Sequence, residues 1–244
     1  MGKSGAEKND DIEAGNNDQL YPNMMEKPEH RWAFIRKVYV IISIQLFITV
    51  GVASAVVFTT PISDFIRHTT AGITTYVAII ILTVILIVLL HMYQTRHPLN
   101  LILLVTFTVL MAFSVGLSCS FSKGKIILEA AILTVVVVVS LTLNTFWAVK
   151  RGQDFNFLGP FLFAVVLVML TFSLMQIFFP LGKLGLMIWG CVGAIVYSGF
   201  ILYDTDNLIK RYNYDQYVPA AVALFLDIIN LFLSLLAIFT GADK

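Results

Sequence analysis

Seven stretches of this chain contain no Lys, Arg or Glu and, with one exception, no Asp: Val38–Ser63, Thr69–Thr95, His97–Ser122, Ala130–Val149, Phe155–Gly182, Leu184–Tyr203 and Gln216–Ala242. The exception is Asp227, inside the last. A helix that crosses a bilayer needs ~20 mostly apolar residues at ~1.5 Å rise each, so every stretch is long enough to span. Prolines stand at their edges (Pro61, Pro98, Pro160, Pro180, Pro219), where a missing N–H costs a helix little. Open strands cannot satisfy their backbone in lipid, so the segments are predicted to be helices. With short loops and no internal repeat, the fold class is an all-α membrane protein of seven transmembrane helices.

Composition agrees. The 244 residues are 58% hydrophobic and 13% charged, where a soluble domain runs at roughly 45–50% apolar and about 25% charged. Too few charges remain to cover a water-facing surface, which excludes most soluble enzymes and disordered chains. The net charge of +1 gives no reason to expect nucleic acid as a partner; the partner this composition demands is the lipid bilayer.

Residues 1–30 are polar and carry Glu7, Asp10, Asp11, Glu13, Asp18, Glu26 and Glu29. They are expected to be a disordered, solvated tail ahead of a single membrane domain, 31–244. A secretory signal would need a basic start and an early apolar core, and Ala6 stands where a myristoylation motif needs Ser or Thr. Cys119 and Cys191 lie in apolar stretches, far from CxxC or metal-ligand spacing, and are expected to be buried small hydrophobes.

Lys and Arg concentrate on cytosolic flanks. If the N-terminus is cytosolic, Lys27, Arg31, Arg36, Lys37, Arg96, Lys150, Arg151, Lys210 and Arg211 fall on that side, against Arg67, Lys123, Lys125, Lys183 and Lys244 on the other. The N-terminus is therefore expected in the cytosol, and seven crossings put the C-terminus opposite.

An ionisable group in lipid costs roughly 2.5–3.5 kcal/mol on insertion scales, so each one retained suggests a role. Asp227 lies about 12 Å into the seventh helix at ~1.5 Å per residue, with Asn230 and Ser234 on its face at i+3 and i+7 and small Ala220 and Ala223 beside it. Asp204 and Asp227 are symmetric about the polar turn Arg211–Tyr217. Two antiparallel helices folded there bring both carboxyls to one depth. Gly190, Ala194 and Ser198 give the sixth helix a small-residue seam for that packing. Two carboxylates facing each other in low dielectric cannot both ionise cheaply, so they should share a proton and act as a proton-sensitive switch or a cation site. The alternative is that Asp204 is interfacial and Asp227 merely bonds a neighbouring helix.

Four further residues are candidates for auxiliary roles: Arg96, His91, Asn230 and Glu129. Glu129 is expected as a helix N-terminal acid rather than a cation funnel, and His91 as an interfacial histidine able to titrate near neutral pH. Asp206 and Asp215 are assigned to the solvated end, and Trp32, Tyr93, Trp147 and Tyr203 to interfacial anchoring. No His or Cys spacing suggests a resident metal or other cofactor.

His97-Pro98-Leu99-Asn100 with Phe107-Thr108, Gly193 with Tyr203-Asp204-Thr205, and Leu226-Asp227-Ile228-Ile229-Asn230-Leu231-Phe232 together resemble the Bax inhibitor motif family, closest to its LIFEGUARD branch and similar to plant members. The resemblance runs from about Arg31 to Phe239. It implies a central seventh helix, a pH-dependent calcium leak and suppression of stress-induced cell death, with Asp204 and Asp227 as the di-aspartyl pH sensor and gate and a transient Ca2+ contact. Ca2+ is then the permeant ion, an endomembrane (ER, Golgi or vacuole) or the plasma membrane the location, and membrane proteins of cell-death or receptor signalling the protein partners. The family's basic latch on the second helix has no counterpart before Arg96, which leaves Arg96, His91 or no latch at all.

Other functions fit less well. An intramembrane aspartyl protease also uses two membrane aspartates, but its Gly-x-Gly-Asp motif is missing, since Leu224-Phe225-Leu226 precedes Asp227. A seven-helix receptor would need a disulfide these cysteines cannot form, and a retinal protein a lysine absent between Val218 and Ala242. No enzymatic activity is expected. The alternative to a leak channel is a regulatory scaffold that conducts nothing.

Overall fold

Each charge-free stretch folds as a helix, and three of the seven helices run past the charges that bound their stretch. The computed structural model describes residues 19–22, 24–59, 61–62, 64–65, 69–94, 96–179 and 182–243. The expected acidic residues up to Asp18, together with Ser63, Arg67, His68, Thr95, Pro180 and Lys244, lie outside the described residues. The helices are α1 (Pro28–Phe58), α2 (Thr70–Met92), α3 (Leu99–Cys119), α4 (Gly124–Lys150), α5 (Leu158–Phe178), α6 (Lys183–Lys210) and α7 (Tyr217–Ala242), with a 3-10 turn at Tyr214–Gln216 before α7. Seven spans are long and apolar enough to cross a membrane, and no strand occurs among the described residues. The chain is a multi-pass integral membrane protein.

The helix ends explain where the stretches were too short. α1 begins at Pro28 rather than Val38, because proline fits a first turn and Glu29 favours the positive end of the helix dipole. α6 continues through Asp204 and Asp206 to Lys210, a cation suited to a helix C-terminus. Short connections make successive helices antiparallel, so the start of α1, the α2–α3 and α4–α5 loops and the α6–α7 turn share one end of the bundle, here termed the N-side.

α7 packs on α6, α4, α1, α3 and α2, whereas α5 leans chiefly on α6. In the most apolar stretch of the α7 span 44% of residues are buried, against 11% in α5. The C-terminal helix is thus the central one. Hydrophobic side chains elsewhere point outward in numbers that only lipid would tolerate, among them Phe47, Val136, Phe163 and Ile195. Cys191 belongs to this outer face. It is exposed, contrary to expectation, while Cys119 is buried as expected; an apolar stretch in a membrane has a lipid face as well as a core face.

Segment 19–30 also departs from the expected mobile tail. Leu20 and Met24 are buried in the main core cluster, and α1 is already formed at Pro28.

Two glycine contacts set the helix spacing. A Cβ on Gly116 of α3 would stand 2.9 Å from the Cα of Ala53 on α1, and one on Gly190 of α6 2.7 Å from the backbone O of Ser234 on α7. The α6 seam runs through Gly190 and Gly193 on the Ser234 side. We expect Gly190→Ala to lower stability in detergent by roughly 1–3 kcal/mol, since backbone cannot rotate out of the way. Gly51→Ala, with nothing within 4 Å, should be neutral or raise it by up to about 1 kcal/mol. Thermal unfolding of the two variants side by side checks this, and equal losses would contradict it.

Candidate functional site

The close approach at Gly190 and Gly193 draws α6 and α7 together, and toward the N-side this crossing ends on Asp204 and Asp227. Their carboxyls lie within hydrogen-bonding reach of one another. Asp227 is buried and its Oδ2 has no hydrogen-bond donor, while Asp204 is half-buried. Two carboxylates offer each other only acceptors, so a proton between them would supply the missing donor. No basic side chain forms an ion pair with either acid among the described residues.

Asp204 instead leads into a polar network that sequence reasoning missed. Asn207 Nδ2 donates to Asp204 Oδ1 at 3.4 Å, Arg211 Nη1 donates to Asn207 Oδ1 at 2.5 Å, and Arg211 Nη2 donates to Asp154 Oδ1 at 2.8 Å. Lys210 closes the circuit, 2.7 Å from Asp206 Oδ1 and donating to the Gln153 carbonyl at 2.6 Å. Asp206, expected in solvent, is fully buried. The reason is the extra length of α6, which turns it inward beneath its cations. The contact is an ion pair without hydrogen-bond alignment. Asp215 is exposed as expected. The spacing of Asp206 to Lys210 and of Asn207 to Arg211, both i to i+4, was the available signal.

Asp154 sits outside the spans. Burial acts against its charge, yet the Asn156 N–H and the Lys210 and Arg211 cations outweigh that and hold its carboxyl below the usual range. With the folded value depressed, its contribution is present above the ordinary carboxylate range and fades only as pH falls through the lowered value. This clamp therefore stays ionised at neutral pH.

Tyr212 stands half-buried on the turn that joins α6 to α7. Burial foremost, and then the charges of Asp204 and Asp227, push its phenol up. On the other side of α7, the His97–Asn100 motif anchors the helix start. Tyr217 Oη meets His97 Nε2 at 2.9 Å and accepts from Asn100 Nδ2 at 3.3 Å, while Lys37 Nζ lies 3.3 Å above the Tyr217 ring. Deeper, Gln45 of α1 donates to Thr108 of α3 at 3.0 Å.

The remaining candidates separate. Asn230 and Ser234 continue the Asp227 face and line a cavity of about 290 Å³ with Tyr197, Ser173 and Met169. Arg96 is exposed over the Tyr93 ring at 5.8 Å, and His91 is exposed at the end of α2. Neither is bonded to the dyad. Glu129 lies in the second turn of α4 rather than at its start, exposed and 3.7 Å from Lys125, at the end of the bundle opposite Asp204. Among the described residues no group of three or more His, Cys, Asp or Glu could hold a metal ion.

The model of the family described as "Inhibitor of apoptosis-promoting Bax1" matches residues 31–244. The chain belongs to the Bax inhibitor family. Its similarity to plant members of the Bax inhibitor family is high. It is 57% identical to Protein LIFEGUARD 4 of Arabidopsis thaliana over 239 residues, 97% of each chain, and 58% identical to Protein LIFEGUARD 2 of the same plant over 92% of this chain and 94% of that one. The Golgi anti-apoptotic protein of Vaccinia virus (strain Lister) is 33% identical over 214 residues, 88% of this chain and 87% of the viral one.

In this Bax inhibitor family member, removing a buried charge should cost more than removing an exposed one. Asp206→Asn leaves Lys210 without its buried partner and should cost about 3 kcal/mol. Asp154→Asn removes a carboxylate that is 56% exposed and should cost less than about 1 kcal/mol. Unfolding midpoints in detergent at neutral pH would separate the two; the reverse order would show that the network is held from the loop.

Proposed function

We propose that this protein is a proton-gated calcium leak of an endomembrane, with its N-terminus in the cytosol, and that it restrains stress-induced cell death. The observation that carries the proposal is the Asp204–Asp227 pair, held between α6 and the most buried helix, α7, without a cation bonded to it. When the pair shares a proton it ties α6 to α7; when the proton leaves, like charges repel in a low dielectric and the crossing loosens. The two acids then hold a proton and contact the passing Ca2+, and no catalytic step is assigned to them. Asn230 and Ser234 extend a polar track from the pair along α7 toward the cavity beside α5. A role in cell death is supported by the description of the matched family and by the printed name of the viral relative.

A scaffold that conducts nothing is favoured by one observation. The opposite half of the bundle holds a second cavity of about 380 Å³, lined largely by apolar side chains such as Leu117, Phe121, Leu186, Leu233 and Leu236, in which the hydroxyls of Tyr76, Ser118, Ser122 and Thr240 are the polar groups. A leak must wet this half when it opens.

Purified protein in liposomes loaded with a calcium dye separates the two. The leak account expects Ca2+ entry with a pH midpoint that Asp227→Asn abolishes or moves by about one unit or more, one unit being 1.36 kcal/mol between protonation states. Wild type no leakier than empty liposomes at every pH would favour the scaffold.

A further inference from the structure

The segment before α1 runs along the N-side from the α4–α5 loop to the α6–α7 turn. Leu20 and Met24 are buried in the main core cluster, so they anchor this segment to the bundle. Between them, Pro22 lies against the α4–α5 loop at Gly152. That glycine has φ 83°, and a Cβ there would stand 3.3 Å from Pro22 Cγ. At its other end the segment reaches the α6–α7 turn. Glu26 pairs with Arg31 and accepts from the Tyr214 hydroxyl. Arg31 is only 6% exposed; its Nε donates to Glu26 at 2.7 Å, its Nη1 donates to the Tyr212 carbonyl at 2.6 Å, and its guanidinium lies 5.2 Å from the Tyr214 ring centroid. The Tyr212 N–H in turn donates to the Asn207 carbonyl at 3.0 Å, and Asn207 Nδ2 donates to Asp204 Oδ1 at 3.4 Å.

Physically, this is a chain of four contacts, Glu26 to Arg31, Arg31 to Tyr212, Tyr212 to Asn207 and Asn207 to Asp204, that ends on the dyad. A nearly buried guanidinium is stable only with its acceptors in place, so Arg31 couples Glu26 to the Tyr212 backbone. The ends of the turn are held by Arg211 on Asp154 and by Tyr217 on His97 and Asn100, whereas among the described residues the hydrogen bonds that reach its middle, Tyr212 and Tyr214, from outside α6 and α7 come from Arg31 and Glu26. We propose that Leu20, Pro22, Met24 and Glu26 form an autoinhibitory strap across the N-side, which holds the Tyr212 turn down over the Asp204–Asp227 pair and whose release opens the pair to water. The proposal deepens the gate account above and shares its site, but its first readout is independent of conduction.

Hydrogen–deuterium exchange on the full chain in detergent tests it, with wild type, Glu26→Ala and the double variant Leu20→Ser/Met24→Ser. The first variant unclasps Arg31 and the second lifts the apolar anchors while leaving Glu26 and Arg31 in place. Both should speed amide exchange in the Tyr212–Val218 turn on the order of tenfold, the effect of losing a hydrogen bond to a charged group, with α3 unchanged. Wild-type rates in the turn for both variants, or equal acceleration in every helix, would overturn the strap. The same proteins in calcium-dye liposomes keep the two accounts apart. If the turn is released and neither wild type nor variant conducts, the strap stands and the leak fails. If wild type leaks with a dyad-dependent pH midpoint and the variants change neither leak nor exchange, the leak stands and the strap fails.

Discussion

The antiparallel crossing of α6 and α7 at Gly190 and Gly193 determines where every functional group at the N-side can stand. Lipid offers helices no hydrophobic reason to associate, so their contact rests on close packing and on polar groups that find each other inside the bundle. Gly190 admits the backbone of Ser234 to a distance no side chain would allow. The same register brings Asp204 opposite Asp227. A bulkier α6 would separate the acids and leave one buried carboxyl without its neighbour, a larger penalty than the lost packing.

Around this crossing the polar residues fall into groups that hold the N-side without neutralising the dyad. Arg211 and Lys210 are spent on Asp154 and Asp206, and Arg31 on Glu26 and the Tyr212 carbonyl. Lys37 rests on the Tyr217 ring. Cations are thus close to the pair in space but committed elsewhere, and Asp204 meets them only through the amide of Asn207. In the proposed gate this is what leaves the pair open to protons, because no fixed counter-ion sets its charge. The opposite half of the bundle carries no comparable network among the described residues. Its ion pairs, Lys123 with Asp243 at 2.6 Å and Lys125 with Glu129 at 3.7 Å, lie at the exposed end, and further in it has hydroxyls such as the Ser122 and Thr240 pair at 2.8 Å.

The number of helices and the pairing of Asp204 with Asp227 were legible in the sequence, for physical reasons. Charge-free stretches of spanning length admit one secondary structure in lipid, and two acids symmetric about a polar turn meet when a hairpin closes there. Centrality of α7 came from family resemblance, since apolar composition alone does not distinguish a helix wrapped in protein from one wrapped in lipid. That ambiguity also misplaced Cys191. Charge does not mark a helix end: beyond Asp204 the sequence reads as a solvated end, whereas α6 continues to Lys210 and buries Asp206 in an ion pair with it. The docking of Leu20 and Met24 was invisible, because two isolated hydrophobes in an acidic segment have no periodicity to betray a contact.

The central claim is that Asp204 and Asp227 titrate as one coupled unit, and infrared difference spectroscopy of the carboxyl C=O stretch tests it most directly. Spectra would be recorded across pH for wild type, Asp204→Asn and Asp227→Asn in lipid. The account predicts a protonated-carboxyl band in wild type whose titration is displaced in both single variants, because each removes the partner that shares the proton. A wild-type titration equal to the sum of the two single variants would mean that the acids ionise independently, and the gate would have to lie elsewhere.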